Sequence, residues 1–211
     1  VIGNTNKIAD SSGSLLVLGR ENGSTAAIKA TNSIIVGYRN NVSSSFDQYK
    51  DTTKAGNIIF GEENVYTSED PLVTGNNNVI FGSDNNINAT EDSFIQGKTN
   101  RTYGKELTVI GKSNKVGIDR VASASASLSS YKVESSFIHG FQNQVLGPSG
   151  TNLLSNVYTM GYENMIDMSG NKTLNTADTF ILLGSYADIS GRGGVTTTPD
   201  SSNVKFAFGS H

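Results

Sequence analysis

Residues 78–87 read NVIFGSDNNI, and this stretch contains the pattern that decides the fold. A short apolar run, residues 79–81, precedes Gly82. Asn85 follows three positions after the glycine, and Ile87 follows two positions after the asparagine. Short apolar runs rich in β-branched residues are typical of buried strands, whereas Gly and Asn are typical of turns. The stretch therefore predicts a strand, a turn and the start of a second strand.

The same unit recurs twelve times along the chain, which makes it an internal repeat. Ten of the glycines have an Asn three positions later, which disorder would not place in register. The aligned glycines are Gly3, Gly19, Gly37, Gly61, Gly75, Gly82, Gly97, Gly111, Gly140, Gly161, Gly184 and Gly209. The asparagines that follow them are Asn6, Asn22, Asn40, Asn64, Asn78, Asn85, Asn100, Asn114, Asn143 and Asn164.

The spacing of the glycines predicts a narrow parallel β-solenoid with two strands per coil. Several glycines are seven residues apart and others fourteen, as from Gly75 to Gly82 and from Gly61 to Gly75. We interpret seven residues as half a coil and about fourteen as a full coil, with coils stacked about 4.8 Å apart. Asn is expected to end the turn because it tolerates left-handed dihedral angles and bonds to its own backbone.

The position two before each glycine is expected to point into the core. It holds compact aliphatic residues in most copies, as a narrow interior requires. The core residues predicted on this basis are Val17, Ile35, Ile59, Val73, Ile80, Ile95, Val109, Ile138 and Leu182.

Positions one and three before each glycine share the opposite face of the strand and are also mostly apolar. A strand that is apolar on both faces is buried on both faces. A single narrow solenoid has only one core, so the second face is expected to lie against another copy of the chain. The predicted interface residues are Ile34, Val36, Ile58, Phe60, Phe81, Phe94, Phe137, His139, Phe206 and Phe208.

Polar insertions between the repeats are expected to form loops outside the stack. The main insertions are residues 43–56, 117–134, 146–156, 167–178 and 190–203. The first two combine aromatic and cationic residues, which are enriched at binding interfaces. We hypothesise that receptor binding involves Phe46, Tyr49, Lys50, Arg120, Tyr131 and Lys132.

Composition excludes several kinds of chemistry. The 211 residues contain no Cys and two His and carry a net charge of -3, so thiol chemistry is absent and nucleic acid is not an expected partner. No apolar run reaches the roughly 18 residues of a membrane helix. We predict a protein that is not an enzyme and has no catalytic residues, metal or cofactor. An ion held by His139 from several copies of the chain is a weaker alternative, and so is a calcium-binding β-roll.

The pattern resembles the head domain of trimeric autotransporter adhesins, the YadA-like head, which repeats about fourteen residues of the form S-x-A-I-G-x-x-A-x-A. Residues 33–37, 78–82 and 136–140 carry the match. The chain departs from the family in having Asn where Ala or Ser is usual, bulkier apolar residues and long insertions. The resemblance implies an all-β fold, a left-handed parallel β-roll assembled as a homotrimer. It also implies a single repeat domain over residues 1–211, excised from a longer chain that is anchored in the outer membrane, although this segment is not itself in the membrane.

The function expected from this resemblance is cell adhesion at the bacterial cell surface, as part of virulence. The head would bind a host-cell surface protein, extracellular matrix or neighbouring bacteria through its loops. Two alternatives stay open at this point. One is the β-helix of a phage tailspike or another polysaccharide-processing protein, which needs paired carboxylates on one exposed sheet. The other is a purely structural spacer.

Overall fold

A computed structural model of the chain describes residues 1–8, 14–24, 28, 32–44, 56–68, 77–88, 90, 92–102, 104–117, 133–146, 154–167, 179–185, 188–190 and 204–209. The chain divides into two compact units, an N-terminal unit from Val1 to Asn100 and a C-terminal unit from Arg101 to His211. All regular structure in the described residues is β-strand. In both units the strands pair in parallel and form two sheets.

In the N-terminal unit, the strands that contain the aligned glycines form one sheet and the strands that follow the turns form the other. The strands are β1 (Ile2–Asn4), β2 (Leu15–Arg20), β3 (Ser33–Tyr38), β4 (Asn41–Ser44), β5 (Ile58–Glu62), β6 (Val65–Ser68), β7 (Val79–Ser83), β8 (Asn86–Asn88) and β9 (Phe94–Lys98). The glycine-bearing sheet has the order β1-β2-β3-β5-β7-β9, and the second sheet has the order β4-β6-β8.

The C-terminal unit repeats this arrangement. Its strands are β10 (Arg101–Thr102), β11 (Lys105–Lys112), β12 (Lys115–Val116), β13 (Val133–Phe141), β14 (Gln144–Leu146), β15 (Leu154–Ser155), β16 (Val157–Tyr162), β17 (Met165–Asp167), β18 (Thr179–Ser185), β19 (Asp188–Ser190) and β20 (Val204–Gly209). The glycine-bearing sheet runs β11-β13-β16-β18-β20, with β15 also paired to β13. The second sheet runs β10-β12-β14-β17-β19.

The strand register places glycine over glycine. Gly37 is opposite Gly61, and Gly61 is opposite Gly82. Successive strands belong alternately to the two parallel sheets, and each strand pairs with the equivalent strand of the next repeat. This arrangement is consistent with the predicted β-solenoid. Within each unit, asparagines that hydrogen-bond to each other lie between 15 residues apart, from Asn85 to Asn100, and 29 residues apart, from Asn114 to Asn143. The fourteen-residue unit stays a prediction for the minimal coil.

The interior is lined by the position two before each glycine. Val17, Ile35, Ile59, Ile80, Ile95, Val109, Ile138 and Leu182 have no exposed surface, and Val73 lies outside the described residues. The second sheet contributes Val42, Tyr66, Ile87 and Val145, which are also fully buried. Ile and Val suit this position because β-branched side chains fit a pleated, buried surface.

A ladder of asparagine side chains runs along one corner of the stack. In each rung of the N-terminal unit the amide nitrogen donates to the carbonyl oxygen of the Asn in the preceding coil, as from Asn64 to Asn40 at 3.0 Å. The same nitrogen also donates to the carbonyl of the aligned glycine in the next coil, as from Asn64 to Gly82 at 2.7 Å. These paired bonds explain why Gly and Asn recur together. The ladder contains Asn6, Asn22, Asn40, Asn64, Asn85 and Asn100.

In the C-terminal unit the ladder contains Asn114, Asn143 and Asn164, with one rung in the opposite orientation. Asn143 donates from Nδ2 to Asn164 Oδ1 at 2.6 Å. Its own buried Oδ1 has no hydrogen-bond partner among the described residues. This rung therefore makes fewer bonds than those of the N-terminal unit.

A second polar ladder lies four positions before the glycines. Asn57 N donates to Ser33 Oγ, Asn78 donates to Asn57 Oδ1, and Ser93 N donates to Asn78 Oδ1. Asn78, although it follows Gly75 by three positions, therefore belongs to the second ladder. All four residues are buried, so the coils from Ser33 to Ser93 are held at two corners by side-chain amides or hydroxyls.

The expectation that the ladder Asn adopts left-handed dihedral angles is also wrong. The residue before it has the positive φ, as in Glu21 (56°), Arg39 (52°) and Glu63 (53°). The Asn side chain turns inward and bonds to the neighbouring coil instead. The glycine itself has a φ of 137° at Gly61, where a Cβ would overlap the carbonyl oxygen of Gly82. Only a residue without a side chain fits this close approach.

Candidate interaction surface

The outward face of the glycine-bearing sheet is apolar in both units. We call this surface, formed by positions one and three before the aligned glycines, the apolar face. Its side chains alternate with the buried core residues along each strand, as the burial of β5 and β7 shows. Large apolar residues on it are strongly exposed: Leu16 42%, Phe60 36%, Phe81 37%, Tyr158 43%, Met160 48% and Phe208 71%.

Aromatic side chains on the apolar face stack from one coil to the next in the N-terminal unit. The ring centroids of Phe60 and Phe81 are 5.4 Å apart, with 13° between the ring planes. Phe94 continues the row, with its ring 6.1 Å from that of Phe81. Coil stacking holds these rings side by side, so they present a continuous, ordered apolar surface rather than scattered exposed residues.

The described part of the apolar face in the C-terminal unit includes one histidine, His139. The His139 side chain is exposed, and its ring centroid is 6.3 Å from that of Phe137. The strand register places Ile110 on one side of His139 and Met160 on the other. The imidazole is therefore flanked by apolar side chains on both neighbouring strands.

A charged border lies beside the apolar face of the N-terminal unit, in the turns that follow the glycines. Arg39 donates a hydrogen bond from Nε to Glu21 Oε2 at 2.8 Å, and its Nη1 lies 3.4 Å from Glu63 Oε1. The guanidinium groups of Arg20 and Arg39 lie 4.8 Å and 4.6 Å from the ring centroid of Tyr38. The hydrogen bond to Arg39 is the main cause that lowers the pKa of the Glu21 carboxyl below its ordinary value.

The interface residues predicted from the sequence fall on the apolar face wherever their side chains are described. Ile34, Val36, Ile58, Phe94 and Phe137 are partly exposed, while Phe60, Phe81, His139 and Phe208 are exposed. Phe206 lies on strand β20, opposite Ile181, and its side chain is outside the described residues. The predicted set did not include Leu16, Tyr158 and Met160 of the same face, although their positions before Gly19 and Gly161 identify them.

The residues predicted to bind a receptor lie outside the described residues. This applies to Phe46, Tyr49, Lys50, Arg120, Tyr131 and Lys132. Of the two insertions that contain them, the structure describes residues 43, 44 and 56 of the first and 117, 133 and 134 of the second. Loop-mediated receptor binding therefore stays a prediction.

Within the described ranges, no group of three or more His, Cys, Asp and Glu residues could hold a metal ion. The part of the chain that the structure describes also contains no helix long and apolar enough to cross a membrane. The sequence matches no protein-family model, and comparisons with curated proteins and with solved structures found no match. The apolar face is thus the feature of the described residues that most clearly indicates an interaction.

Proposed function

We propose that this chain is the head of a non-catalytic adhesin, displayed as a homotrimer on a bacterial outer surface. The observation that supports it is the apolar face, which recurs on every described glycine-bearing strand from β2 to β9 and from β11 to β18. The resemblance to YadA-like heads supports the same proposal and suggests that the coils wind left-handed.

Another copy of the chain is the partner that fits the apolar face best. Exposed apolar surfaces of this extent are uncommon on monomeric proteins and mark interaction sites. A partner for such a face must itself offer apolar side chains at the same regular interval along the stack. A second copy satisfies this requirement, and closed symmetric assemblies are the usual form of homo-oligomers.

In the proposed trimer the rolls form the scaffold and the insertions bind the target. Residues 43–56 and 117–134 would be presented three times on one particle, which raises the effective affinity for a dense target on a host cell, a matrix or another bacterium. The stacked strands are nearly alike from coil to coil, so they offer little to distinguish one partner from another. We assign specificity to the insertions for this reason.

Oligomeric state is tested with Phe81→Ser, measured by multi-angle light scattering. We expect the unchanged chain to be a trimer and the variant to be a folded protein of lower mass, because Phe81 is 37% exposed in one copy. Ser83→Ala, in the position directly after Gly82, is the matched control and should remain a trimer. A monomeric wild-type chain at high concentration would contradict the proposal.

Target binding is tested by screening the chain against arrayed host extracellular proteins. Replacing residues 45–55 or 118–132 with Gly-Ser segments of the same length should abolish binding to any target found, while the melting temperature is retained. Binding that survives both replacements would contradict the assignment to these two insertions. Cleavage of a bacterial capsule polysaccharide would favour a tailspike-like function, and a screen without any binding would favour a spacer.

A further inference from the structure

We infer that His139 makes the association between copies of this chain sensitive to pH, so that it weakens as the imidazole is protonated. This inference rests on the proposed trimer, and it adds to that proposal a means of regulation. The supporting observation is the placement of an exposed imidazole on the apolar face, between Ile110 and Met160 and beside the ring of Phe137.

A neutral imidazole tolerates an apolar interface far better than an imidazolium does. Burying an unpaired charge is costly, and the group responds by giving up its proton or by leaving the interface. Histidine is the side chain whose charge can change between neutral and mildly acidic pH. Covering the apolar face therefore favours the deprotonated ring.

Among the described residues of β11, β13 and β16 and their turns, no carboxylate lies in the same row as His139 to stabilise the imidazolium. Ile110 and Met160 occupy the same row on the strands that flank β13. Lys112 is the nearest charged residue, two positions from that row. The other charged residues of these three strands and their turns lie three to five positions away, and they are Lys105, Glu106, Glu134 and Glu163. At about 3.3 Å per residue, Glu106 and Glu134 are roughly 13–17 Å away along the strands, and Glu163 lies in the turn after β16.

The nearest of these carboxylates are also engaged elsewhere. Glu106 Oε2 accepts a hydrogen bond from Ser135 Oγ at 2.7 Å, and Glu163 Oε1 accepts one from Gln142 Nε2 at 2.6 Å. Lys112, the nearest charged group, places its ammonium 5.6 Å from the ring centroid of Phe141 and adds positive charge to this region. Protonation of His139 would thus add a second cation to an apolar surface.

The chain contains its own control for this inference. In the N-terminal unit the corresponding position of β9, one residue before Gly97, holds Gln96, which is exposed and lies opposite Phe81 of β7. Glutamine is polar but does not titrate, so a polar side chain on the apolar face is tolerated when it stays neutral. His139→Gln therefore removes the titration while keeping a side chain that this face already accepts.

The test is the concentration at which the trimer dissociates, measured by analytical ultracentrifugation at pH 7.5 and pH 5.5. If each protomer takes up half a proton on average across these two pH units, the dissociation constant rises about tenfold per protomer and about a thousandfold for the trimer. The dissociation constant of a trimer scales with the square of the protein concentration. The concentration at which half of the trimer has dissociated therefore shifts by about thirtyfold.

The His139→Gln variant, which retains His211, should show no such shift. The double variant His139→Gln with Gln96→His should again show a shift. Circular dichroism at both pH values separates dissociation from unfolding. A wild-type midpoint that is the same at both pH values, or a shift that persists in His139→Gln, would overturn the inference and leave the trimer intact. A chain that is monomeric at both pH values and at all concentrations would instead overturn the trimer, and this inference with it.

Discussion

Asn40 donates a hydrogen bond from Nδ2 to Asn22 Oδ1 at 3.1 Å, although the two residues are 18 positions apart in the sequence. Its own Oδ1 accepts from Asn64 Nδ2 at 3.0 Å, and its Nδ2 also reaches Gly61 O at 2.9 Å. A single buried amide thus connects three successive coils. Each further Asn of the ladder extends the same connection by one coil.

We expect Asn40→Ala to destabilise the N-terminal unit by at least about 2 kcal/mol, because it leaves buried donors and acceptors in two neighbouring coils without partners. Urea denaturation followed by circular dichroism measures the change. Asn86→Ala is the matched control, since Asn86 is exposed on β8, and it should change stability by no more than about 0.5 kcal/mol. Equal denaturation midpoints for the two variants would show that the ladder contributes little.

We expect Gly61→Ala to cost about 3 kcal/mol or more, because the new methyl group would overlap the Gly82 carbonyl oxygen and the backbone φ is 137°. Both the strand stacking and the Asn64 bond to Gly82 would be disturbed. Ser83→Ala, on the neighbouring strand, should melt close to the unchanged chain. A Gly61→Ala variant with the same melting temperature would contradict the close approach of adjacent coils.

We expect Thr159→Val to stabilise the C-terminal unit by about 1 kcal/mol, because it removes a buried hydroxyl without changing the shape of the side chain. Thr159 is 1% exposed, and its Oγ1 has no hydrogen-bond partner among the described residues. Its neighbours in register, Ile138 and Leu182, are aliphatic. Thr159→Ser keeps the hydroxyl and loses the methyl group, so it should lower the melting temperature. A lower melting temperature for Thr159→Val would show that the hydroxyl is hydrogen-bonded.

We expect the ion pair between Glu21 and Arg39 to stabilise the fold at neutral pH but not in acid. The pKa of Glu21 is lowered in the folded chain, so this contribution is fully present above the ordinary glutamate value of about 4.3 and is lost as pH falls through the lower folded value. An NMR titration of the Glu21 side chain in the unchanged chain and in Arg39→Gln measures it. The Glu21 pKa should rise in the variant. An unchanged Glu21 pKa would show that Arg39 does not cause the lowering.

The glycine register was sufficient to predict which residues line the core. Side chains alternate between the two faces of a strand, so fixing one position at Gly82 places Ile80 inside and Phe81 outside without further information. The same rule placed Ile59 and Phe60 on opposite faces, and the structure gives 0% and 36% exposure for these two residues. The apolar face could be predicted for the same reason.

The hydrogen bonding and backbone conformation at the two corners of the coil were harder to predict than the core. Asn78 lies three residues after Gly75 and four before Gly82, so the sequence fits either ladder, and only the hydrogen bonds to Asn57 and Ser93 decide between them. The left-handed residues before the ladder Asn include Glu21 and Arg39, which have no preference for that conformation. There the fold imposes the backbone geometry, and no local signal reveals it.

The ladders join a coil that closes after 15 residues and one that closes after 29 through the same asparagine contact. Segment length and coil stacking are therefore independent properties of this chain. Mutation, duplication or recombination can change what lies between two rungs while the rungs themselves stay in place. Such a scaffold can vary the length and sequence of the segments between its rungs without evolving a new fold.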